Sequence, residues 1–281
     1  MSRRHHYIPA VPQPAEQWVE IARVTTVGTS TVSIPSGYSQ IGFWIVGGGA
    51  GGAGDRNSSQ NAGAGGNGGQ AVPVVVERSA AAATVVVGGG GAGGTKSTNT
   101  STSGAGGASS VTYNGIAHTA AGGLKAANYG YENSKVANSG TGGFGQDGVD
   151  ANFHAVQRSG KAGEGNGFTY NGVTYSNTRY CNGGDGQPNP FDPNDTNLYG
   201  AGGGGGTNAY TASDRAMLSY GGLTGGGNGG YGVAAAANTT NRGAAATFYG
   251  GGGGGGAFTA KHTYSQGGAG YQGIVIIYGK V

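Results

Sequence analysis

Side chains able to do acid–base, nucleophilic or metal chemistry are few in this sequence, with twelve acids, five histidines and one cysteine among 281 residues. Gly142–Asp150 fits one copy of a calcium-binding nonapeptide, but that pattern holds ions between stacked tandem turns and no second copy follows. Asp192, Asn194 and Asp195 offer oxygens of the kind calcium takes, without the closing bidentate glutamate. The stretch 188–195 reads more simply as consecutive turns. His5 and His6 are adjacent but lack a closed ligand set, and His118, His154 and His262 are isolated. Asp147, Asp150 and Asp214 supply acids for a triad, yet no nucleophile elbow accompanies them. No paired carboxylates stand out for glycoside hydrolysis. Cys181 has no partner for an internal disulfide. Glycine fills about a quarter of the chain, so GxGxxG recurs by chance roughly four times, and no strand–helix context with an acidic partner supports a nucleotide site. The expectation is a protein that is not an enzyme, with no cofactor and no metal.

Tyrosine carries the stronger signal. Of 16 tyrosines, Tyr129, Tyr131, Tyr170, Tyr175, Tyr180, Tyr199, Tyr210 and Tyr220 fall in insertions rich in Asn, Ser and Thr. Tyrosine gives large contact area at small rotamer entropy, while small polar neighbours adapt their hydrogen bonds. Its ring also stacks on sugar faces. Arg179 adds a fork of donors for sugar or carboxylate groups. These residues are the candidate receptor-binding set, and the insertions 124–139, 150–182, 187–199 and 207–220 are the expected recognition tip. The competing reading is that the rings cap a framework with few other side chains to bury.

Something must hold those insertions. Residues 18–46 read as β structure: 18–24 alternates apolar and polar, 31–35 alternates again, and 41–46 is a nearly continuous apolar run. Further strands are expected within 71–87 and at 273–278, rich in β-branched residues. Between and beyond them lie most of the 67 glycines, in blocks such as 47–49, 88–94, 200–206, 221–230, 250–256 and 267–273. No Gly-X-Y period runs through the chain, which excludes collagen. Many interrupted blocks of similar length favour a packed bundle over flexible linkers. The expected fold is mainly β and irregular, with almost no α-helix. It comprises a small sheet or sandwich plus a bundle of polyglycine II helices, formed by the blocks after residue 87, with variable loops between. Residues 1–17, with Pro9, Pro12 and Pro14, read as an extended attachment arm whose apolar part is Tyr7, Ile8, Pro9 and Val11. Residues 18–281 form the glycine-rich domain.

Charge narrows the partners. The chain is net +3 with 15 basic residues and no run longer than Arg3-Arg4. That is too little to neutralise phosphates, so no nucleic acid is expected. No apolar stretch approaches the ~20 residues of a spanning helix, so no membrane insertion is expected either.

The order of elements, aliphatic strand into glycine block, carries a resemblance. The stretches 41–52, 84–91, 113–123 and 267–278 are similar to the glycine-rich domains of bacteriophage tail-fibre adhesins. The likeness covers roughly 18–281 on ordinary domain sizes. It departs from that plan in long low-glycine insertions, notably 146–182 and 207–220. The resemblance implies a non-catalytic, host-receptor-binding module at the virion's fibre tip, made in the host cytoplasm. Its partners would be a bacterial outer-surface protein or polysaccharide and, through the N-terminal arm, a fibre or tail component. A structural, self-assembling glycine-rich surface or filament protein is the alternative. An ice-binding protein is a weaker third, because insertions of such uneven length do not suit a flat regular face.

Overall fold

The computed structural model describes residues 17–54, 63, 65–95, 103–125, 186–203, 221, 224–230, 242–256 and 266–281, and otherwise only the backbones of six short strands. Ten strands lie in the fully described parts: β1 (Trp18–Val24), β2 (Gly28–Ser33), β3 (Gln40–Val46), β4 (Ala71–Glu77), β5 (Ala82–Val87), β6 (Ser109–Tyr113), β7 (Ile116–Ala120), then β12 (Gln187–Pro188), β13 (Leu198–Tyr199) and β16 (Ile274–Lys280). The backbone-only strands are β8 (Gly145–Val149), β9 (Ala155–Arg158), β10 (Phe168–Tyr170), β11 (Val173–Tyr175), β14 (Asn208–Ala209) and β15 (Phe258–Thr259). There is no helix among the described residues, so the mainly β expectation holds.

Two antiparallel sheets, ordered β1-β16-β3-β4 and β2-β5-β6-β7, pack face to face. Between them lie Ile41, Phe43, Ile45, Val275 and Ile277 from the first sheet and Val85, Val87, Val111 and Tyr113 from the second. Strands β3 and β16 are central in the first sheet and apolar on both faces. Their outer faces supply Trp44, Val46, Ile274, Ile276 and Tyr278 to a second cluster. A continuous apolar strand needs cover on both sides, and that explains the run 41–46. The region 18–46 thus breaks into three strands. The β6–β7 hairpin was not among the expected strands, yet its turn is Asn114-Gly115 with φ of 49° and 77°. Asn-Gly between alternating runs is the strongest short hairpin signal, and here it was legible.

At one end of the sandwich the strands run straight into glycine segments. The hydrogen bonds of segment 47–54 change partner every residue. Gly47 and Ala50 donate to Gln70 and Asn67; Gly48 and Gly51 donate to Gly107 and Gly104; Gly49 and Gly52 donate to Tyr271 and Gly268, all at 2.8–2.9 Å. Its carbonyls repeat the pattern. Gly48 accepts from Gly123, Gly49 and Gly52 from Gly91 and Gly94, and Ala50 and Ala53 from Gly253 and Gly256. Residues three apart therefore face the same neighbour, and no bond closes within the segment. This is the geometry of a three-residue-per-turn extended helix with hexagonal surroundings. Positive φ occurs in the described bundle only where a segment begins, at Gly200, Thr224, Gly225 and Gly250, so the interiors fit the left-handed form.

Segment 250–256 is surrounded in the same way. It bonds to 47–54, to Gly63 and 65–70, to 200–203, to 224–230, to 243–247 and to 266–273. The bundle thus begins at residue 47 and includes Gly63 and 65–70, which corrects the expectation that it is formed by the blocks after residue 87. It also includes 243–247, which has one glycine; Ala244 and Ala245 face solvent there and need no close approach.

Strand register continues into the bundle without a slip. Val46 pairs with Ala71, and then Gly47 bonds to Gln70 and Ala50 to Asn67. Likewise Ile274 pairs with Val46, and then Gly49 bonds to Tyr271. The strands act as templates that align the segments.

A Cβ added at Gly252 would collide with the carbonyl oxygen of Gly66, and one at Gly227 with that of Ala244, well inside the 3.0 Å that real Cβ contacts keep. At Gly89 the nearest atom is 3.7 Å away, on the Val27 side chain. Gly252→Ala should therefore destabilise by about 3 kcal/mol or more, while Gly89→Ala should stay within about half a kcal/mol. Thermal or urea unfolding of the two variants checks this.

Candidate recognition surface

The topology gives the molecule two different ends. Strand β3 runs toward the bundle and β16 runs away from it, so β1, antiparallel to β16, starts at the end remote from the bundle. Trp18 there pairs with Lys280, and the Val281 amide donates to the Gln17 carbonyl at 3.2 Å. Both edges of the described chain lie together at this end. The bundle segments leave the sandwich and return. The described segments end at Gly54, Thr95, Gly203, Gly230 and Gly256, and described residues resume at Gly63, Ser103, Gly221, Arg242 and Gln266. Gly54, Gly63, Gly94, Gly230, Gly256 and Gln266 lie on the side of the bundle away from the sandwich, whereas Gly203, level with Gly66, and Gly221, beside Gly226 and Asn228, lie nearer to it. A further described stretch ends at Lys125, and after the backbone-only strands β8 to β11 the full description resumes at Gly186, beside Tyr199.

The candidate residues divide sharply. Tyr129, Tyr131, Arg179, Tyr180, Tyr210 and Tyr220 lie outside the described residues, as do Tyr7, Ile8, Pro9 and Val11 of the arm. Tyr170 and Tyr175 are placed by backbone alone, in the paired strands β10 and β11, where Phe168 faces Tyr175 and Tyr170 faces Val173. Both belong to the connection between Lys125 and Gly186.

Tyr199 is a correction. Its side chain is fully buried, edge-on to Trp44 at 5.8 Å and against Phe248 at 5.1 Å. It belongs to the scaffold and presents no surface to a receptor. The insertion 187–199 is corrected with it, because this segment covers the outer face of the first sheet. Phe191 stacks on Tyr278 at 5.3 Å and meets Trp18 edge-on at 5.0 Å. Its ring occupies the place where a side chain on residue 42 would sit, so Gly42 is what admits it. The Asn189 side-chain amide donates to the Tyr278 hydroxyl at 2.7 Å. The need was visible in the double-faced apolar run 41–46; which segment would meet it was not.

The carboxylates of Asp192 and Asp195 are engaged by turns in this cover. Asp192 accepts from the Asn194 amide at 3.0 Å. Asp195 accepts from the Asn197 amide at 3.1 Å and from the Tyr199 hydroxyl at 2.6 Å. Among the described residues, no three His, Cys, Asp or Glu come together to hold a metal ion. The ring-capping reading fits other described tyrosines. Tyr249 contacts Phe248 and Tyr271 along the bundle flank, and Tyr113 grips the β4–β5 turn through Ser79 and Ala80.

A family model described as a glycine-rich domain matches residues 25–280, from the end of β1 through the closing strand β16. The chain belongs to the glycine-rich domain family. Among curated proteins, none matches it. In this glycine-rich domain the family match spans sandwich and bundle together, consistent with a register that passes from one into the other.

The contact between the cover segment and β16 should respond to pH at both extremes. Burial alone would raise Asp195, but hydrogen bonds from Tyr199 and Asn197 outweigh it and hold the carboxyl below its ordinary value. A lowered native value contributes stability above the free carboxylate range near 3.9, and that stability is lost as pH falls through the native value. Burial pushes Tyr278 up to about 12, only partly offset by the Asn189 hydrogen bond. A raised native value contributes stability that is full below the free phenol range near 10 and is lost as pH rises through about 12. Both tryptophans report on this cover, since Trp18 touches Phe191 and Trp44 touches Tyr199. Tryptophan fluorescence should shift to the red in acid, and Asp195→Asn should remove most of that acid-dependent change while leaving the alkaline one.

Proposed function

We propose that this protein is a non-catalytic, host-receptor-binding adhesin at the tip of a bacteriophage tail fibre. It is carried on the virion and engages a bacterial surface protein or polysaccharide. The single observation that supports this reading is the division of the molecule into two ends. The chain's N-terminal arm joins at the sandwich end, where a fibre or tail component would hold it. The described segments that end at Gly54, Gly94, Gly230 and Gly256 end at the opposite side, where the connections that follow them would meet a host surface. A bundle stiffened by backbone hydrogen bonds fixes the stems of those connections, so each loses less entropy on binding than a free loop would.

The stretch 126–185, which returns at Gly186 beside Tyr199 on the flank of the sandwich, is chosen as the bearer of specificity for its composition. It carries Tyr129, Tyr131, Tyr170, Tyr175, Arg179 and Tyr180 in a background of Asn, Ser and Thr. Aromatic and arginine anchors dominate the energy of most interfaces. The low net charge fits a contact made of stacking and hydrogen bonds rather than of charge steering.

Replacing Tyr129, Tyr131, Tyr175 and Tyr180 together by alanine should weaken adsorption of purified protein to host cells by at least about 2 kcal/mol, roughly thirtyfold. Circular dichroism of the scaffold should stay unchanged. Adsorption should vary little between low and moderate salt. Unchanged adsorption would remove these four residues from the site, and strongly salt-dependent adsorption would favour an electrostatic contact. Removing residues 1–16 should leave a folded, adsorbing domain that no longer enters virions.

A further inference from the structure

Strand β16 is the last element of the described chain, yet it sits inside the first sheet, between β1 and β3. It pairs with β1 along one side and with β3 along the other. Strand β1 has no other neighbour in that sheet. Both faces of β16 are buried. Val275 and Ile277 enter the core between the sheets, and Ile274, Ile276 and Tyr278 enter the cluster on the outer face, all at most 2% exposed.

The residues just before it are equally central in the bundle. The amides of Gly267, Gly270 and Gly273 donate to Gly94, Gly91 and Gly88, on the continuation of β5. The carbonyls of Gly268 and Tyr271 accept from Gly52 and Gly49, on the continuation of β3. The amides of the same two residues donate to Gly254 and Gly251, and Gly243 and Ala246 donate to Gln266 and Ala269, all at 2.7–2.9 Å. Segment 266–273 therefore ties the extensions of both sheets to the middle of the bundle.

Before residues 266–281 are made, the earlier elements lack what they need. The pairings of β3 with β4, and of β5 with β6 and β7, use only residues up to Ala120. They leave β1 without a partner and β3 open along one side. A continuous apolar strand such as β3 needs cover on both faces, and β16 supplies part of each. Segments 47–54 and 88–94 likewise lack the donors and acceptors that 266–273 brings. A buried backbone group left unpaired costs more than a formed bond contributes. At the ~5–20 residues per second of synthesis, β3 waits about ten to fifty seconds for β16.

We propose that residues 266–281 are a clasp on which folding of the whole domain waits. Sandwich and bundle form together once this segment has been made, and neither forms stepwise along the growing chain. The device makes the native fold conditional on the segment. Chains interrupted before residue 266 stay open to proteases, although they carry all of the second sheet and most of the bundle segments. Pairing between such distant parts of a chain is slow, because the loop must close before the contacts reward it. The inference stands apart from the adhesin reading, since it concerns only how the scaffold closes.

The test stalls the chain on the ribosome at two lengths. In one, residues up to 265 have cleared the exit tunnel; in the other, a glycine–serine linker carries residue 281 clear of it. A brief thermolysin pulse should degrade the first and leave the second with the same resistant fragments as the released full-length protein. Ile276→Asp charges a fully buried position and should abolish that resistance, while Val281→Asp, at a position 71% exposed, should leave it. Fragments containing β5, β6 and β7 decide the outcome. Their resistance at the shorter length, or after Ile276→Asp, overturns the proposal. So does susceptibility at both lengths in a chain that is resistant after release, because folding would then wait on something else. In the purified protein, native-state hydrogen exchange should show one common opening for β5, β6, β16 and segment 47–54, with a common denaturant dependence. Slower exchange in β5 and β6 than in β16 would reveal a sheet that stands without the clasp, and would overturn it equally.

Discussion

Everything in this molecule depends on backbone amides meeting carbonyls of neighbouring extended chains where no side chain stands between them. A β-strand spends its hydrogen bonds on two neighbours in one plane. A three-residue-per-turn helix distributes them around its axis, and segments 47–54 and 250–256 each reach six surrounding segments in this way. Each such bond contributes only about 1 kcal/mol net, whereas leaving a buried group unpaired costs about 1–3 kcal/mol. Such a bundle is therefore cooperative: its interior tolerates no gap, and one intruding methyl separates several bonded pairs at once.

The sandwich makes that bundle possible. Glycine loses more conformational freedom on ordering than any other residue, and a bundle of small side chains buries little apolar surface to offset the loss. The apolar strands β3, β5 and β16 supply what the glycines lack, holding the starts of the segments in register. The bundle in turn joins the sheets. Packed sheets lie ~10 Å apart, while hydrogen-bonded chains lie ~4.8 Å apart. Segment 47–54 leaves one sheet and 88–94 the other, yet the Gly91 amide reaches the Gly49 carbonyl at 2.8 Å. The two layers converge because their side chains stop at Val46 and Val87.

Much of this was legible. The passage from Ile41–Val46 into Gly47, and from Gly273 into Ile274–Tyr278, announced strands feeding glycine helices. The participation of 243–247 was hidden, because at the periphery of the bundle a Cβ can face solvent and alanine serves as well as glycine. Asn67 and Gln70, three apart, likewise mark an outward column, with side chains reaching Leu124 and Ala121. The role of Tyr199 was hidden for another reason. Its neighbours Asn197, Pro193 and Asp195 look like a recognition loop, and only the second apolar face of β3 requires that something cover it. Composition locates the insertions, but long-range packing decides which of them are scaffold.

Sandwich and bundle thus form one continuous hydrogen-bonded unit. That account rests on the threefold bonding of segment 47–54. The most direct measurement is scalar coupling across hydrogen bonds by NMR, read at the successive amides of Gly48, Gly49 and Ala50. The account predicts coupling to the carbonyl carbons of three different segments, at Gly107, Tyr271 and Asn67. Coupling of alternate amides to a single neighbouring segment, as in a β-ladder, would contradict it.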